Sequence, residues 1–224
     1  MKIAILDDYQ NVALRMADWA ALAGRAEITV FNDHESVRDG RWQTSIGEEL
    51  SGKILGVLGL GNIGAPVARI GLAFGMKIIA WSQNMTPEKA ATAGATLVSK
   101  DELFRQADIV TIHLILSSRT RGLVGAAELA LMKPTSRLIN TSRGPIVDEA
   151  SLVKALRSHV LAGAAIDVFD QEPLPSQHPF RAMDNVLATP HVGYVTENLY
   201  RTFYGDAVTS ITAWLDKQAE GKAE

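Results

Sequence analysis

Apolar and polar positions alternate along the chain in the way that the strands and helices of an α/β protein require. Short apolar runs bounded by glycine or polar residues predict strands. These runs are KIAIL (2–6), EITVF (27–31), KILGVLGL (53–60), MKIIAW (76–81), ATLV (95–98), DIVTIHL (108–114), SRLINTS (136–142) and LAGAAIDVF (161–169). Stretches with apolar residues at helical spacing lie around 9–23 and at 61–75, 86–94, 100–107, 125–135, 148–159 and 196–218. This alternation predicts a doubly wound parallel sheet of the Rossmann type, because parallel strands need crossover helices.

Capping residues and prolines set the predicted helix ends. Thr86 and Pro87 suit the first turn of the helix at 86–94, and Gly94 suits its end. Pro134 should stop the helix at 125–135, because proline cannot donate a backbone hydrogen bond. The last helix has an apolar face formed by Leu199, Phe203, Ala207, Ile211 and Trp214.

Composition narrows the class of protein. The 224 residues are 47% hydrophobic and carry a net charge of −3, so no basic face favours nucleic acid or an anionic membrane. The chain has no cysteine, which excludes disulfides and thiolate metal ligands. His34, His159 and His178 have no partner at metal-ligand spacing, so we expect these histidines at the surface and no metal site. We see no signal peptide and no apolar run near the roughly 20 residues that cross a bilayer. We therefore expect a cytoplasmic protein.

A glycine-rich motif ends the strand at 53–60 and opens the next helix. Gly59, Gly61 and Gly64 stand in a G-x-G-x-x-G pattern, with Asn62 and Ile63 between the last two glycines. The first glycine permits a tight turn, the second lets a pyrophosphate approach the backbone, and the third lets the helix pack on the sheet. The N-terminus of the helix offers N–H groups to phosphate oxygens. A structural turn is the alternative, but this context favours a dinucleotide.

The second part of the dinucleotide signature departs from the usual form. An acidic residue is expected about 20 residues further on, where it would bind the ribose 2′-hydroxyl. Ser82 occupies that position, followed by Gln83 and Asn84, and no Arg or Lys lies in 81–87 to bind a 2′-phosphate. The residues therefore permit NAD or NADP, and the missing carboxylate favours NADP.

Three polar stretches should meet at the carboxyl edge of the sheet: the first two end predicted strands, and the third follows a loop. They are Asn140–Pro145 with Arg143, Ala165–Pro173 with Glu172, and Ala188–Tyr194 with His191. Each has a structural alternative: Arg143 could pair with Asp148, Glu172 could be a solvated acid, and His191 could be a buried histidine. Their expected convergence favours a site.

Together, G-L-G-N-I-G, I-N-T-S-R-G, D-V-F-D-Q-E-P and T-P-H-V-G closely resemble the NAD(P)-dependent D-2-hydroxyacid dehydrogenases, from about Gly40 to Tyr194. The resemblance implies that Arg143 binds the substrate carboxylate and carbonyl, that His191 is the acid/base and that Glu172 is its partner. It also implies that the cofactor side includes His113, Thr141, Asp167 and Gly193, with Asp167 at the nicotinamide carboxamide. Ile115 and Leu116 replace a turn that usually contains proline in the family.

This chemistry requires those residue types. Reduction of a 2-keto acid delivers a hydride to C2 while a proton goes to the carbonyl oxygen, and a histidine can carry that proton. A neighbouring carboxylate fixes the tautomer of the imidazole. A guanidinium recognises a carboxylate through two hydrogen bonds and stabilises charge on the carbonyl oxygen.

The family also has a flavodoxin-like substrate lobe. This chain resembles only the first strand, the helix and the second strand of that lobe. We expect a truncated lobe at 1–40, a nucleotide-binding domain at 41–195, and a terminal helix at 196–224 that packs back on the N-terminal segment. Such a lobe needs on the order of 100 residues to bury a core. The uncovered strands favour a homo-oligomer, with exchanged segments as one arrangement.

Two classes of function remain open. One is a dehydrogenase that acts on a small 2-keto or 2-hydroxy acid, impaired by the missing wall of the site. The other is a dinucleotide-binding module without turnover. The retention of Arg143, Glu172 and His191 favours the first, and the missing wall favours the second.

Overall fold

The computed structural model describes residues 2–5, 13–16, 27–30 and 47–220. The chain divides into two compact units, Met1–Glu49 and Leu50–Glu224. In the first unit, strands β1 (Lys2–Ile5) and β2 (Glu27–Val30) pair in parallel, and helix α1 (Ala13–Met16) lies between them in sequence. The remainder of the predicted helix at 9–23 lies outside the described residues, as does His34.

The second unit contains a seven-stranded parallel sheet. Its strands are β3 (Ile54–Leu58), β4 (Lys77–Trp81), β5 (Thr96–Leu97), β6 (Ile109–Ile112), β7 (Arg137–Asn140), β8 (Gly163–Ile166) and β9 (Val186–Ala188). Its α-helices are α2 (Gly64–Ala73), α3 (Pro87–Thr92), α4 (Lys100–Gln106), α5 (Ala126–Leu131), α6 (Glu149–Arg157) and α7 (Glu197–Glu220). The strand order is β5-β4-β3-β6-β7-β8-β9, which confirms the predicted Rossmann-type α/β fold.

The central strands of the sheet are buried on both faces, which is why they are continuously apolar. Val57 and Leu58 of β3 are fully buried, as are Val110 and Ile112 of β6. Leu58, Val110 and Ile112 belong to the larger of two apolar clusters, which also contains Phe104 of α4. The smaller cluster contains Val57 and the small residues of α2 and α3. These clusters fix the strand positions and therefore the places where the strands end.

Helix boundaries follow the capping residues in most places. Thr86 accepts a hydrogen bond from the Lys89 amide at 3.4 Å, and Pro87 begins α3 as predicted. Ser99 and Glu102 form a reciprocal capping box at the start of α4. The predicted helix at 125–135 is too long, because α5 ends at Leu131 and Met132 is already extended, with ψ 150°.

The sequence prediction missed β9 and read Val186–Ala188 as part of a loop. This strand has only three residues and follows a 3₁₀ turn at Pro179–Ala182. The sequence therefore has no apolar run long enough to predict a strand there. Its pairing with β8 makes it an edge of the sheet.

Helix α7 presents its apolar residues, among them Phe203, Ile211 and Trp214, at the exposed surface. The predicted packing of this helix against the N-terminal segment stays a prediction. Within the described ranges, no helix combines the length and apolarity needed to cross a membrane.

A matched pair of phenylalanine truncations tests the assigned core. Phe104 is fully buried, whereas Phe74, which follows α2, is 57% exposed. We expect Phe104→Ala to lower the free energy of unfolding by about 3–5 kcal/mol, because the truncation removes apolar burial and leaves a cavity. Phe74→Ala should change it by less than about 1 kcal/mol. Urea unfolding of both variants measures the difference, and equal losses would contradict the assigned core.

Candidate active site

A cavity of about 1000 Å³ lies at the carboxyl edge of the sheet. The glycine-rich loop contributes Gly61, Asn62 and Ile63 to its lining. Residues that follow the other strands contribute His113, Thr141, Arg143, Asp167, His191 and Gly193. The structure therefore brings nine of the predicted site residues to one cavity. Leu114, Ser142 and Tyr194 also line it and were not predicted as site residues.

The glycine-rich loop has the geometry that each of its glycines was expected to provide. Gly59 has φ +101°, and a Cβ there would lie 2.6 Å from the carbonyl oxygen of His113. A Cβ on Gly64 would collide with the carbonyl oxygen of Gly59, so the helix can approach the strand only without a side chain. By contrast, no protein atom lies within 4 Å of a Cβ placed on Gly61. This open space beside the N-terminus of α2 can accept a phosphate group.

Ser82 and Gln83 follow β4 and lie outside the lining of this cavity. The Ser82 carbonyl accepts a hydrogen bond from the Met85 amide at 3.1 Å, which closes a tight turn. The preceding residue, Trp81, accepts a hydrogen bond from the Gly59 amide at 2.9 Å. The turn at Ser82 is therefore joined directly to the glycine-rich loop.

His191 and Glu172 form a close pair at the cavity. His191 Nδ1 lies 2.7 Å from Glu172 Oε2, and Glu172 Oε1 accepts a hydrogen bond from the Phe169 amide at 2.9 Å. A carboxylate only accepts hydrogen bonds, so Nδ1 carries the proton and Nε2 is the nitrogen available for another partner. The Tyr194 ring contacts the His191 ring edge-on, with centroids 5.5 Å apart.

The Glu172 carboxyl is ionised at neutral pH. Burial favours its neutral form, but hydrogen bonds from His191 and the Phe169 amide oppose this effect. The charges of His191 and Arg143 act in the same direction as those hydrogen bonds, and the pKa of Glu172 lies below its ordinary value. An ionised Glu172 can hold the His191 imidazole in one tautomer.

Asp167 anchors the loop that carries His191. Its Oδ1 accepts hydrogen bonds from the Thr189 hydroxyl at 2.6 Å and the Val192 amide at 2.9 Å, and its Oδ2 accepts one from the Gly193 amide at 3.0 Å. Burial would raise the pKa of Asp167, but these bonds and the nearby His191 lower it. His191 itself has φ 54°, a left-handed conformation that is uncommon outside glycine. The carboxylate therefore stabilises a loop that holds His191 in an unfavourable backbone conformation.

Asn140 and Ser142 shape the loop that carries Arg143, and the sequence did not identify either as a site residue. The Asn140 side chain donates to the Arg143 carbonyl at 3.0 Å and accepts from the Ser142 amide at 3.1 Å. The Ser142 hydroxyl donates to the Ile112 carbonyl at 2.7 Å, which ties this loop to β6. Asn140 is only 1% exposed, and a polar residue at the end of an apolar strand is the signal that could have identified it. Arg143 is exposed, and its guanidinium donates to the Ser142 carbonyl at 2.6 Å.

His113 lies half-buried at the end of β6. Its Nε2 is 3.0 Å from the Thr111 hydroxyl, and burial lowers the pKa of His113. The ring is therefore neutral at pH 7 and can exchange hydrogen bonds without adding charge beside the glycine-rich loop.

His178 was expected to be a surface residue, and that prediction is wrong. Its side chain is 13% exposed, and its Nε2 lies 2.9 Å from Glu149 Oε1. A histidine that follows a proline-rich loop carries no sequence signal for a partner some 30 residues away. His159 is exposed, as predicted. Across the residues that the structure describes, no group of three or more acidic or histidine side chains is placed to hold a metal ion.

Comparison with known proteins places these motifs in one family. Residues 23–193 match the family model described as D-isomer specific 2-hydroxyacid dehydrogenase, NAD binding domain. A glyoxylate reductase from Aeropyrum pernix is 46% identical over 187 residues, which cover 80% of this chain and 56% of that protein. The chain thus spans about half the length of this curated relative.

Two solved structures show the same architecture. A D-lactate dehydrogenase from Aquifex aeolicus, complexed with NAD and lactic acid, has a TM-score of 0.68 and 29% identity, with 78% of this chain and 57% of that chain covered. A phosphoglycerate oxidoreductase from Vibrio cholerae has a TM-score of 0.75 and 27% identity, with 97% of this chain and 99% of that chain covered.

Replacement of the Asp167 carboxylate tests its anchoring role. The pKa of Asp167 is lowered from 3.8 on folding, so its stabilising effect is present above pH 3.8 and is lost as the pH falls through its folded value. In Asp167→Asn, the amide would face three donors, and we expect a loss of about 1–3 kcal/mol in unfolding free energy at neutral pH. The loss of stability as the pH falls below 3.8 should also be smaller than in the parent protein.

Urea unfolding at several pH values measures both effects. Asp101→Asn, which changes an exposed acid on α4, is the matched control and should leave stability unchanged. An Asp167→Asn protein with the stability and pH dependence of the parent would contradict the anchoring role.

Proposed function

The chain belongs to the D-isomer specific 2-hydroxyacid dehydrogenases through their NAD-binding domain, and we propose that it is an NAD(P)-dependent oxidoreductase acting on a small 2-keto or 2-hydroxy acid. The observation that carries this proposal is the His191–Glu172 pair at 2.7 Å, beside the cavity shared by Arg143 and the glycine-rich loop. Substrate recognition, proton transfer and cofactor binding can then act at one place.

The cofactor is proposed to bind along the glycine-rich loop. Gly61, Asn62 and Ile63 would hold its pyrophosphate through backbone N–H groups, and the open space at Gly61 fits this role. His113, Thr141, Asp167 and Gly193 would line the nicotinamide side. The bound dinucleotide supplies or accepts the hydride. Asp167 Oδ2 accepts one hydrogen bond in the loop, so this oxygen retains capacity for the carboxamide.

Three side chains carry the protein side of the proposed reaction. Arg143 would bind the substrate carboxylate and stabilise negative charge that develops on the carbonyl oxygen. His191 would give a proton from Nε2 to that oxygen in the direction of reduction and remove it in the direction of oxidation. Glu172 would hold Nδ1 and stabilise the protonated imidazole, because its own carboxyl is ionised.

NADP is the preferred cofactor in this proposal. Ser82 and Gln83 place no negative charge at the turn after β4, where a carboxylate would repel a 2′-phosphate. Both side chains can donate hydrogen bonds to a ribose hydroxyl or a phosphate. The same absence of charge leaves NAD binding possible.

A second candidate is a dinucleotide-binding module without turnover. The His191 and Glu172 side chains are 33% and 37% exposed, so the described part of the chain leaves the pair in contact with water. Reacting groups that are poorly shielded from water lose part of their electrostatic advantage. This exposure favours the second candidate, and the paired carboxylate favours the first.

The organisation of the chain and its assembly belong to the same proposal. We propose that the chain divides into a substrate-lobe segment at 1–40, a nucleotide-binding domain at 41–195 and a terminal helix at 196–224. We also propose that copies of the chain assemble into a homo-oligomer in the cytoplasm, since α7 exposes large apolar side chains.

Substitution of His191 tests the proposed reaction. Asparagine tolerates the left-handed backbone at this position, so His191→Asn removes the imidazole with little conformational cost. We expect kcat/KM to fall at least about 100-fold, because general acid–base catalysis is lost. The affinity for NADH and NADPH should stay within about twofold of the parent value.

Absorbance of NADH and NADPH with glyoxylate, hydroxypyruvate and phenylpyruvate measures the activity. His159→Asn is a matched control, because His159 is an exposed histidine with φ 51°. Cofactor binding without oxidation of either cofactor in the parent protein would exclude the dehydrogenase for these substrates and favour the binding module.

The glycine-rich loop gives a separate test of cofactor binding. Gly61→Val should lower the binding affinity for both NADH and NADPH at least about tenfold, because the new side chain fills the proposed phosphate site. Thermal stability should not change, because no protein atom lies within 4 Å of the new Cβ. Gly205→Val is the matched control, since Gly205 in α7 is equally open and lies far along the chain from the loop. Calorimetric titration measures both affinities, and tighter binding of NADH than of NADPH by the parent protein would overturn the proposed preference.

A further inference from the structure

The carboxylate of Glu149 contacts both ends of the loop that carries Glu172. Glu149 begins helix α6, and its Oε2 accepts a hydrogen bond from the Asp170 amide at 3.3 Å. Its Oε1 lies 2.9 Å from His178 Nε2. Asp170 and His178 are the two ends of the segment 170–178, and Glu172 lies inside it. Glu149 therefore connects the beginning and the end of this loop to α6.

The hydrogen bonds of His178 fix the orientation of its ring at the end of the loop. Its Nδ1 accepts a hydrogen bond from the Phe180 amide at 3.3 Å, so the proton of a neutral ring is on Nε2 and is donated to Glu149. The His178 ring also packs on the Phe180 ring, with centroids 4.8 Å apart. Both nitrogens and the ring face are thus used, which holds this end of the loop in one orientation.

A short series of contacts leads from this closure to the proton-transfer pair. The buried Phe180 ring lies 6.4 Å from the ring of Phe169, which is also buried. The Phe169 amide donates to Glu172 Oε1, and Glu172 Oε2 contacts His191. The Arg181 guanidinium ties the middle of the loop back through the carbonyls of Leu174 and Pro175, at 2.8 and 2.9 Å.

We propose that Glu149 and His178 are positioning residues that set the place of Glu172, and through it the orientation of His191. This inference rests on the proposed dehydrogenase function. Neither side chain lines the cavity at the carboxyl edge, so neither would touch the substrate or the cofactor. Their effect is on geometry, and a displacement of about 1 Å at a reacting group can cost roughly 100-fold in rate.

Substitutions on helix α6 test this role. Glu149→Ala removes both acceptors, and we expect kcat to fall at least about tenfold while the dissociation constant for NADPH stays within about twofold. Glu149→Gln keeps an acceptor for His178 but loses the one for Asp170, and should recover part of the rate. Lys154→Ala changes an exposed residue of the same helix and should match the parent.

A measurement without turnover separates this inference from the proposed function. The His191 Nδ1 nitrogen, hydrogen-bonded to Glu172, should give the ¹⁵N NMR resonance of a protonated ring nitrogen, which is absent in His191→Asn. We expect Glu149→Ala to broaden or lose it, Glu149→Gln to retain it in part, and Lys154→Ala to leave it unchanged. If the parent protein shows no activity, the proposed function fails, but the resonance still decides whether Glu149 positions the pair.

Two results would overturn the inference. One is a folded Glu149→Ala protein with the kcat and the His191 resonance of the parent. The other is an equal loss in kcat and NADPH affinity with the resonance intact, which would indicate a general structural role. Circular dichroism establishes whether each variant folds. If Glu149→Ala does not fold, kcat and the His191 resonance are measured in Glu149→Gln and His178→Gln instead. Parent values in both variants overturn the inference, whereas a reduced kcat with a weakened resonance supports it.

Discussion

Burial of the central parallel strands on both faces is the constraint on which the rest of the second unit depends. A strand buried in this way carries most of its polar side chains near its ends, because a polar group inside would lose its hydrogen bonds to water. Since all seven strands run in parallel, they end at one edge. Gly59, His113, Asn140 and Asp167 each come directly at or after such an end, and β9 leads to Thr189 and His191. The site is thus a consequence of strand direction.

Two carboxylates at this edge perform different tasks because their surroundings differ. Asp167 is buried and accepts three hydrogen bonds from a single loop, so its charge stabilises the backbone conformation of that loop. Glu172 is more exposed and divides its oxygens between one amide and one imidazole. The first arrangement offsets the unfavourable left-handed conformation of His191, and the second orients its ring. Preorganisation of this kind lowers the cost of reaching a reacting geometry.

Sequence reasoning identified the parts whose chemistry is local. The alternation of apolar runs gave the α/β fold, and the spacing of Gly59, Gly61 and Gly64 gave the loop geometry that the structure shows. The contacts it missed join residues that are far apart in the sequence. His178 meets Glu149 from 29 positions away, and Asp167 meets Thr189 from 22 positions away. A sequence pattern does not encode such pairs, and β9 is too short to show a strand pattern of its own.

The hydrogen bond from the Gly59 amide to the Trp81 carbonyl links the segment proposed to meet the ribose 2′-hydroxyl of a dinucleotide to the segment proposed to meet its pyrophosphate. The turn that begins at Ser82 and the phosphate loop share this bond, so neither can change its path without disturbing the other. A new turn grafted after β4 to change the proposed cofactor preference would therefore alter pyrophosphate affinity as well. Cofactor engineering in this protein has to treat the two segments as one unit of design.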